Sequence, residues 1–353
     1  MIKTAQTMLM GHPDKVCDQV ADAIMDEFLR RDDQTRGSVY VFGGHGAMMI
    51  SGSIASRADF DCAEIAKRVY KQVGYEDEVE PFVHLGVPTD DWLQTVAKTA
   101  SRAQAVCYGY ATNKTREMLP PAQVYAQTLA RKIDEARVHD QGMHWLRPDG
   151  RVLVAMNGAK VTHITIFCQH AEDAKVQDVQ GNILERIVRP VIGDMKDVKL
   201  FVNTTGVYLS GGLSTHTGQS GRRTASDLYG GLMPHGGEVI TGRDPAHPSR
   251  SGFYMARHIA KALVKTGKAS QVFVTLMYTI GRVDPVLFDV RGDRGEDLTS
   301  VAKERFDLRI EKIVEQFKLR RPIYRNLSTY GPFGRTDAPW EDVGMAVPAA
   351  NSQ

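Results

Sequence analysis

The chain reads as an α+β protein assembled from three similar helix–strand–strand–helix subdomains. Three observations predict this. Stretches with apolar residues every fourth position alternate with short apolar runs of strand length. The order helix, strand, strand, helix recurs three times. At 353 residues the chain is longer than one typical hydrophobic core, so more than one core is expected. Letter-by-letter repetition is slight, so the repeat is one of architecture.

In the first round, Lys15 to Arg31 reads as a helix whose Val16, Val20, Ile24 and Phe28 share one face. The runs "SVYVFG" (38–43) and "AMMISGSI" (47–54) follow as strands, then a helix near 60–73 with Cys62, Ala66, Val69 and Val73 inward. The second round opens with "PPAQVYAQTLARKIDEAR" (120–137), whose prolines suit a first helical turn. "RVLVAMNG" and "KVTHITIFCQ" then form two strands joined at Asn157-Gly158, a strong hairpin dipeptide. A helix near 179–192 and the strand "KLFVN" (199–203) close that round. The third round is a helix over 250–265, strands "QVFVTLMYTI" and "PVLFDV", and a helix over 297–317. Strand 271–280 is apolar almost throughout, which predicts cover on both faces, the second by a partner subunit.

Composition excludes several classes. Lys+Arg 44 against Asp+Glu 42 leaves a charge of +2, so no global field points to nucleic acid or membrane. Cys17, Cys62, Cys107 and Cys168 show neither CxxC nor zinc spacing, which favours reduced thiols and a cytoplasmic setting. "MIKTAQTMLM" lacks the pattern of a signal peptide, and the longest apolar run, 272–280, is far short of a membrane span. His84, His139, His144 and His258 read as structural or surface residues, and Met8, Met10, Met48 and Met49 as packing.

Two stretches stand apart. Gly206 to Gly242 holds 10 of the chain's 32 glycines and carries Arg222 and Arg223, with Arg243, His247 and Arg250 just beyond. Glycines let a backbone approach a ligand closely, and guanidinium forks match phosphate oxygens, so a polyphosphate is expected there. A solvated basic loop is the plain alternative. No GxxxxGK[ST] occurs, so the site is not a Walker-A loop. The second stretch is "GHPDKVCDQVADAIMD" (11–26), where His12, Asp14 and Lys15 stand at a helix N-terminus. Free amides and the helix dipole favour an anion there. His12 and Lys15 add donors, and Asp14 either caps the helix or holds a divalent metal.

With these residues in view, the sequence resembles the S-adenosylmethionine synthetases. "GHPDKVCDQVADAIMD", "GYATN" (109–113), "WLRPDGR" (145–151), "QHAED" (169–173), "YGG…HGG…TGRDP…RS" (229–251) and "YGPFGR" (330–335) follow the family's order over about residues 8–342. The resemblance implies three α+β subdomains about a pseudo-threefold, sheet-paired into a homodimer or a homotetramer, with active sites at the subunit interface. Expected limits are 1–98, 99–208 and 209–343, with 344–353 a disordered tail. The implied reaction joins the sulfur of L-methionine to C5′ of ATP and releases tripolyphosphate, which is cleaved to pyrophosphate and phosphate. Sulfur needs no base, so alignment and stabilisation of a charged leaving group carry such catalysis.

By position, the resemblance implies that His12 touches the triphosphate near the breaking bond and that Asp14 holds Mg²⁺. Asp149 and Arg151 match an adenosine-site pair, and Val207 and Tyr208 the pair at the adenine, with Val239 in the same set. Arg222, Arg223 and Arg243 match phosphate-binding cations, and Lys15, His12, Arg222 and Arg243 form the catalytic set. Gln94 aligns with a glutamine that touches methionine. Other positions depart from the pattern. Ser249 replaces a second metal aspartate, His247 a nearby lysine, Ala103 an aspartate, and His216 an aspartate that serves both substrates. Tyr40 replaces a K⁺-binding glutamate, and Ser53 the glutamate that receives the methionine ammonium. The segment after Gln94 is also short. One Mg²⁺ site is therefore expected, with the second Mg²⁺ and the K⁺ weakened. Ser53, Gln94, His216 and His247 would line the methionine pocket. Two alternatives follow from the same losses: an enzyme acting on another thioether or on polyphosphate alone, and a non-catalytic synthetase-like subunit.

Overall fold

The computed structural model describes residues 1–89 and 99–344. Three sheets form, and each carries one long helix on its inner face. The first has the order β4-β3-β2-β9, from β2 (Arg36–Gly44), β3 (Ala47–Ala55), β4 (Glu80–Gly86) and β9 (Thr217–Gln219). Its helix is α1 (Pro13–Arg31), backed by α2 (Cys62–Val73). The second has the order β1-β6-β7-β8, from β1 (Ile2–Met8), β6 (Leu146–Asn157), β7 (Lys160–His170) and β8 (Lys199–Val202), under α3 (Pro121–His139). The third has the order β11-β10-β5, from β5 (Ala105–Thr112), β10 (Gln271–Tyr278) and β11 (Leu287–Gly292), under α7 (Pro248–Lys265).

Each sheet is a hairpin of consecutive strands flanked by a strand from another part of the chain. β9 pairs with β2, β1 with β6 and β5 with β10, all antiparallel. In the first two sheets a helix then returns the chain to a parallel strand, β4 on β3 and β8 on β7. The four elements β1, β4, β5 and β9 are absent from the sequence reading. Three-residue β9, "TGQ", carries no periodicity at all, and it forms because Phe42 to Gly44 offer it an open edge.

The helical faces are as the four-residue spacing predicts: Val16, Val20, Ile24 and Phe28 are buried, as are Cys62, Ala66, Val69 and Val73. Strand 271–278 differs. Val272, Val274, Leu276 and Tyr278 face the core, while Phe273 and Met277 remain over a third exposed. The other sheets also leave large apolar residues outward, Tyr40, Phe42, Met49 and Phe82 on one and Leu153 and Phe201 on another. The helix expected over 297–317 is two helices, Thr299–Lys303 and Ile310–Gln316. Between them the Asp307 carboxylate accepts from the Arg309 amide, and Leu308 O accepts from the Tyr278 hydroxyl, so the chain is extended there. The helix near 179–192 begins at Val176 and passes through a π-helical stretch, Ile183–Val188.

The glycine-rich segment also folds more than a loop would. It contains β9 and a short helix, Thr224–Tyr229. Gly218 is required within it, since a Cβ there would lie 2.2 Å from the Pro13 carbonyl carbon. This close approach seats the segment on the N-terminus of α1.

Candidate functional site

His12 is the N-cap of α1. Its Nδ1 accepts from the Asp14 amide at 3.2 Å, and Pro13 occupies the first helical position. That bond leaves the proton of the neutral ring on Nε2. Burial, opposed by Asp14 and reinforced by Arg223, Arg151 and Lys15, pushes the His12 imidazole down to about 3.

Asp14 is fully buried. One oxygen accepts from the Gln219 amide at 3.0 Å and the other from Arg223 Nε at 2.6 Å, while Arg222 lies 3.7 Å away. Lys15 points inward instead of toward a ligand. Its ammonium sits between Asp18 at 2.7 Å and Asp227 at 2.6 Å. Burial opposes that charge, but the two carboxylates outweigh it and hold the lysine protonated. Arg222, 57% exposed, remains turned to solvent.

The mouth of α1 is stitched to the second sheet. The Leu9 amide donates to Gly150 O and the Gly11 amide to Pro148 O, which brings Asp149 and Arg151 alongside. Asp149 is buried and accepts from the Gly212 amide at 2.9 Å; burial raises its carboxyl above the ordinary range. Tyr208 stacks on Phe167 with centroids 4.4 Å apart, and His216 lies 6.4 Å from its ring. The backbone of Tyr208 is held by His170 in both directions, its amide donating to Nε2 and its carbonyl accepting from the His170 amide. Val207 is exposed beside it.

These residues form one group: His12, Asp14, Asp149, Arg151, Val207, Tyr208, His216, Arg222 and Arg223. Ser53, Arg243 and His247 form another at the opposite end of β2, around a cavity of about 550 Å³. There Arg243 donates to Ser38 Oγ at 2.6 Å and lies over the Tyr40 ring. Val239 connects the two groups, packing against Gly221 while its carbonyl accepts from Arg243 Nε at 3.4 Å. His247 caps α7, accepting from the Ser249 amide, and burial with Arg243 and Arg250 nearby pushes it down to about 3. Gln94 lies outside the described residues.

Sequence reasoning passed over a ladder of aspartates. Asp14, Asp18, Asp22 and Asp26 stand four apart on α1, and each accepts backbone amides from distant loops: Gln219, Gly221, Gly242, and Tyr324 with Arg325. The i, i+4 spacing was visible in "DKVCDQVADAIMD" and could have revealed it. Arg36, Arg102 and Glu238 were also missed. Glu238 receives the Ser249 hydroxyl at 2.5 Å, so a carboxylate lies beside that serine after all.

Among the described residues no three His, Cys, Asp or Glu side chains converge as a metal cage. Asp14 is the carboxylate that would hold Mg²⁺ beside phosphate oxygens, an arrangement Mg²⁺ commonly takes. Its oxygens now accept from the Gln219 amide and Arg223 Nε, so the metal would have to displace that guanidinium. Tyr40, with a guanidinium over its ring, does not fit K⁺.

Comparison with known proteins places the chain in a family. Three family models for S-adenosylmethionine synthetase match most of the chain: the N-terminal domain at residues 1–87, the central domain at 98–208 and the C-terminal domain at 210–342. An S-adenosylmethionine synthase of Petrotoga mobilis is 32% identical over 385 aligned positions, covering 97% of this chain and 96% of that protein. One from Sorangium cellulosum is 32% identical over 378, covering 98% and 89%. The chain belongs to the S-adenosylmethionine synthetase family, with that family's three-domain α+β architecture. Both alignments are longer than the 353 residues here, so these relatives carry insertions this chain lacks.

Proposed function

We propose that the protein is an adenosyltransferase that makes S-adenosylmethionine, or a close sulfonium analogue, from ATP and a thioether. The observation that carries this reading is that a neutral, helix-capping His12, the Asp14–Arg223 pair and solvent-facing Arg222 lie together at the mouth of α1, to which Asp149 and Arg151 are stitched. Adenine would lie at Val207 and Tyr208, and the ribose at Asp149 and Arg151. The thioether sulfur attacks C5′; the C5′–O bond breaks and its electron pair leaves on the triphosphate. His12 Nε2–H donates to the departing oxygen, and Arg222 and Arg223 neutralise the phosphates. Lys15 acts from beneath, fixing Asp18 and Asp227 so that the Gly221 turn holds its place. Mg²⁺, bound by Asp14 and phosphate oxygens, would supply further charge neutralisation. Hydrolysis of tripolyphosphate to pyrophosphate and phosphate would use the same cations.

The remaining features belong to the same reading. The sheets carry the outward apolar residues that suit a homodimer or homotetramer about a pseudo-threefold arrangement of subdomains at 1–98, 99–208 and 209–343. A second copy would bring the cavity holding Ser53, Arg243 and His247 of one chain to the helix mouth of the other. The expected tail falls largely at 345–353, outside the described residues. No described helix is long and apolar enough to cross a membrane, and the four cysteines are free and buried, which supports a cytoplasmic setting. Mass spectrometry of the protein with ATP, Mg²⁺ and L-methionine or another thioether tests the proposal. An adenosyl sulfonium accumulating over many turnovers is expected; ATP bound without any such product would favour a non-catalytic subunit.

A further inference from the structure

The cavity at the Arg36 end of β2 has a charge pattern of its own. Three arginines line it, Arg36, Arg102 and Arg243, together with Ser53, Tyr40 and neutral His247. Arg102 Nε is buried and has no hydrogen-bond partner among the described residues. Asp244 is the one carboxylate in the described lining, and both its oxygens are spent on backbone, accepting from the Gly37 amide at 2.9 Å and the Ala246 amide at 2.8 Å. Ser53 pairs across the hairpin with Ser38, which already receives Arg243. Among the described residues, a ligand entering here meets three guanidinium groups and hydroxyls against the single, amide-engaged carboxylate of Asp244. Its volume suits a small molecule.

Resting on the adenosyl-transfer reading above, we infer that this cavity takes an anionic thioether acid lacking an α-ammonium group. A carboxylate satisfies the arginine forks bidentately. An ammonium on the next carbon would sit among three arginines, with Asp244, already shared by two backbone amides, as the only opposite charge in the described lining. A 2-oxo or 2-hydroxy acid with a terminal methylthio group keeps the nucleophilic sulfur and removes that conflict. The chemistry balances without a proton: a sulfur lone pair forms the S–C5′ bond, and the C5′–O electron pair departs with the triphosphate.

The test offers the full-length protein ATP, Mg²⁺ and equal amounts of L-methionine and 4-methylthio-2-oxobutanoate, with the two sulfonium products separated by mass. At least a tenfold excess of the oxo-acid product is expected. Ser53→Glu, at an exposed strand position, should move the ratio at least tenfold toward methionine, and Arg102→Gln should weaken oxo-acid binding about tenfold. Methionine preferred by the wild type, or a ratio and affinity unmoved in both variants, overturns the inference and leaves adenosyl transfer standing. If neither product forms, the adenosyl-transfer reading falls, and calorimetry decides the cavity: oxo acid bound at least tenfold tighter than methionine upholds it, equal or no binding overturns it. Displacement of bound oxo acid by equimolar inorganic triphosphate assigns the cavity to a phosphate chain and also overturns it.

Discussion

Arg222 and Arg223 are neighbours in sequence with different duties. Arg223 holds a buried carboxylate, whereas Arg222 reaches no oxygen of Asp14 closer than 3.7 Å. Removing one partner of a buried pair costs about 3–5 kcal/mol. Arg223→Ala should therefore lower both stability by about that amount and ATP affinity. Arg222→Ala should leave the urea midpoint nearly unchanged and weaken ATP at least ~10-fold, the loss of one charge-assisted bond. Equal effects of the two substitutions on stability would contradict this division. His12 makes a second prediction. With its Nδ1 tied to a backbone amide and its pKa pushed down to about 3, the ring should stay neutral throughout the range where a free histidine titrates. NMR of its ring carbons should show no step near pH 6.5, and an ordinary step there would remove it as a neutral donor. At this scale the sequence was informative about which residues gather at the helix mouth. It was blind to Lys15 turning inward, because that depends on Asp227, 212 residues away.

Helix α1 works as a spine. Its four aspartates receive amides from segments that share nothing in sequence, and this positions the glycine-rich segment on the helix. Asp26 is held up to about 7 by burial, against amides of Arg325 and Tyr324 that favour its charge. The folded protein thus holds this proton more tightly than the unfolded chain. The stability it contributes is full below the ordinary value of 3.8 and is lost as pH rises through about 7. The stability of wild type relative to Asp26→Asn should accordingly grow as pH falls from 8 to 6, read from urea midpoints. A difference that stays flat would place the proton elsewhere. Periodicity made α1, α2, α3 and α7 legible, because each buries a regular apolar stripe. Strands β1, β4, β5 and β9 were not, since edge strands are defined by the neighbour they join and have little pattern of their own.

Across the whole molecule, three sheets each turn one face to a long helix and leave apolar residues on the other. Tyr40, Phe42, Met49 and Phe82 make the first of these outer faces. The proposed sheet-paired dimer would bury them, so light scattering should give twice the chain mass. Phe42→Glu, on that face, should give a folded monomer with adenosyl transfer reduced at least ~100-fold, about two factors of ten in binding. A monomeric wild type with full activity would refute the shared site. The α+β class could be read from periodicity alone. The interlocking of the sheets could not, because it is settled by which edges lie open after the hairpins form.

Adenosyl transfer turns on which bond to the triphosphate breaks. ATP labelled with ¹⁸O at the bridging 5′ oxygen, turned over with a thioether, decides this directly by mass spectrometry of both products. Attack at C5′ predicts the label entirely in the released phosphate chain and none in the nucleoside product. Label retained on the nucleoside would mean cleavage at phosphorus, and the protein would then be a phosphohydrolase on this fold.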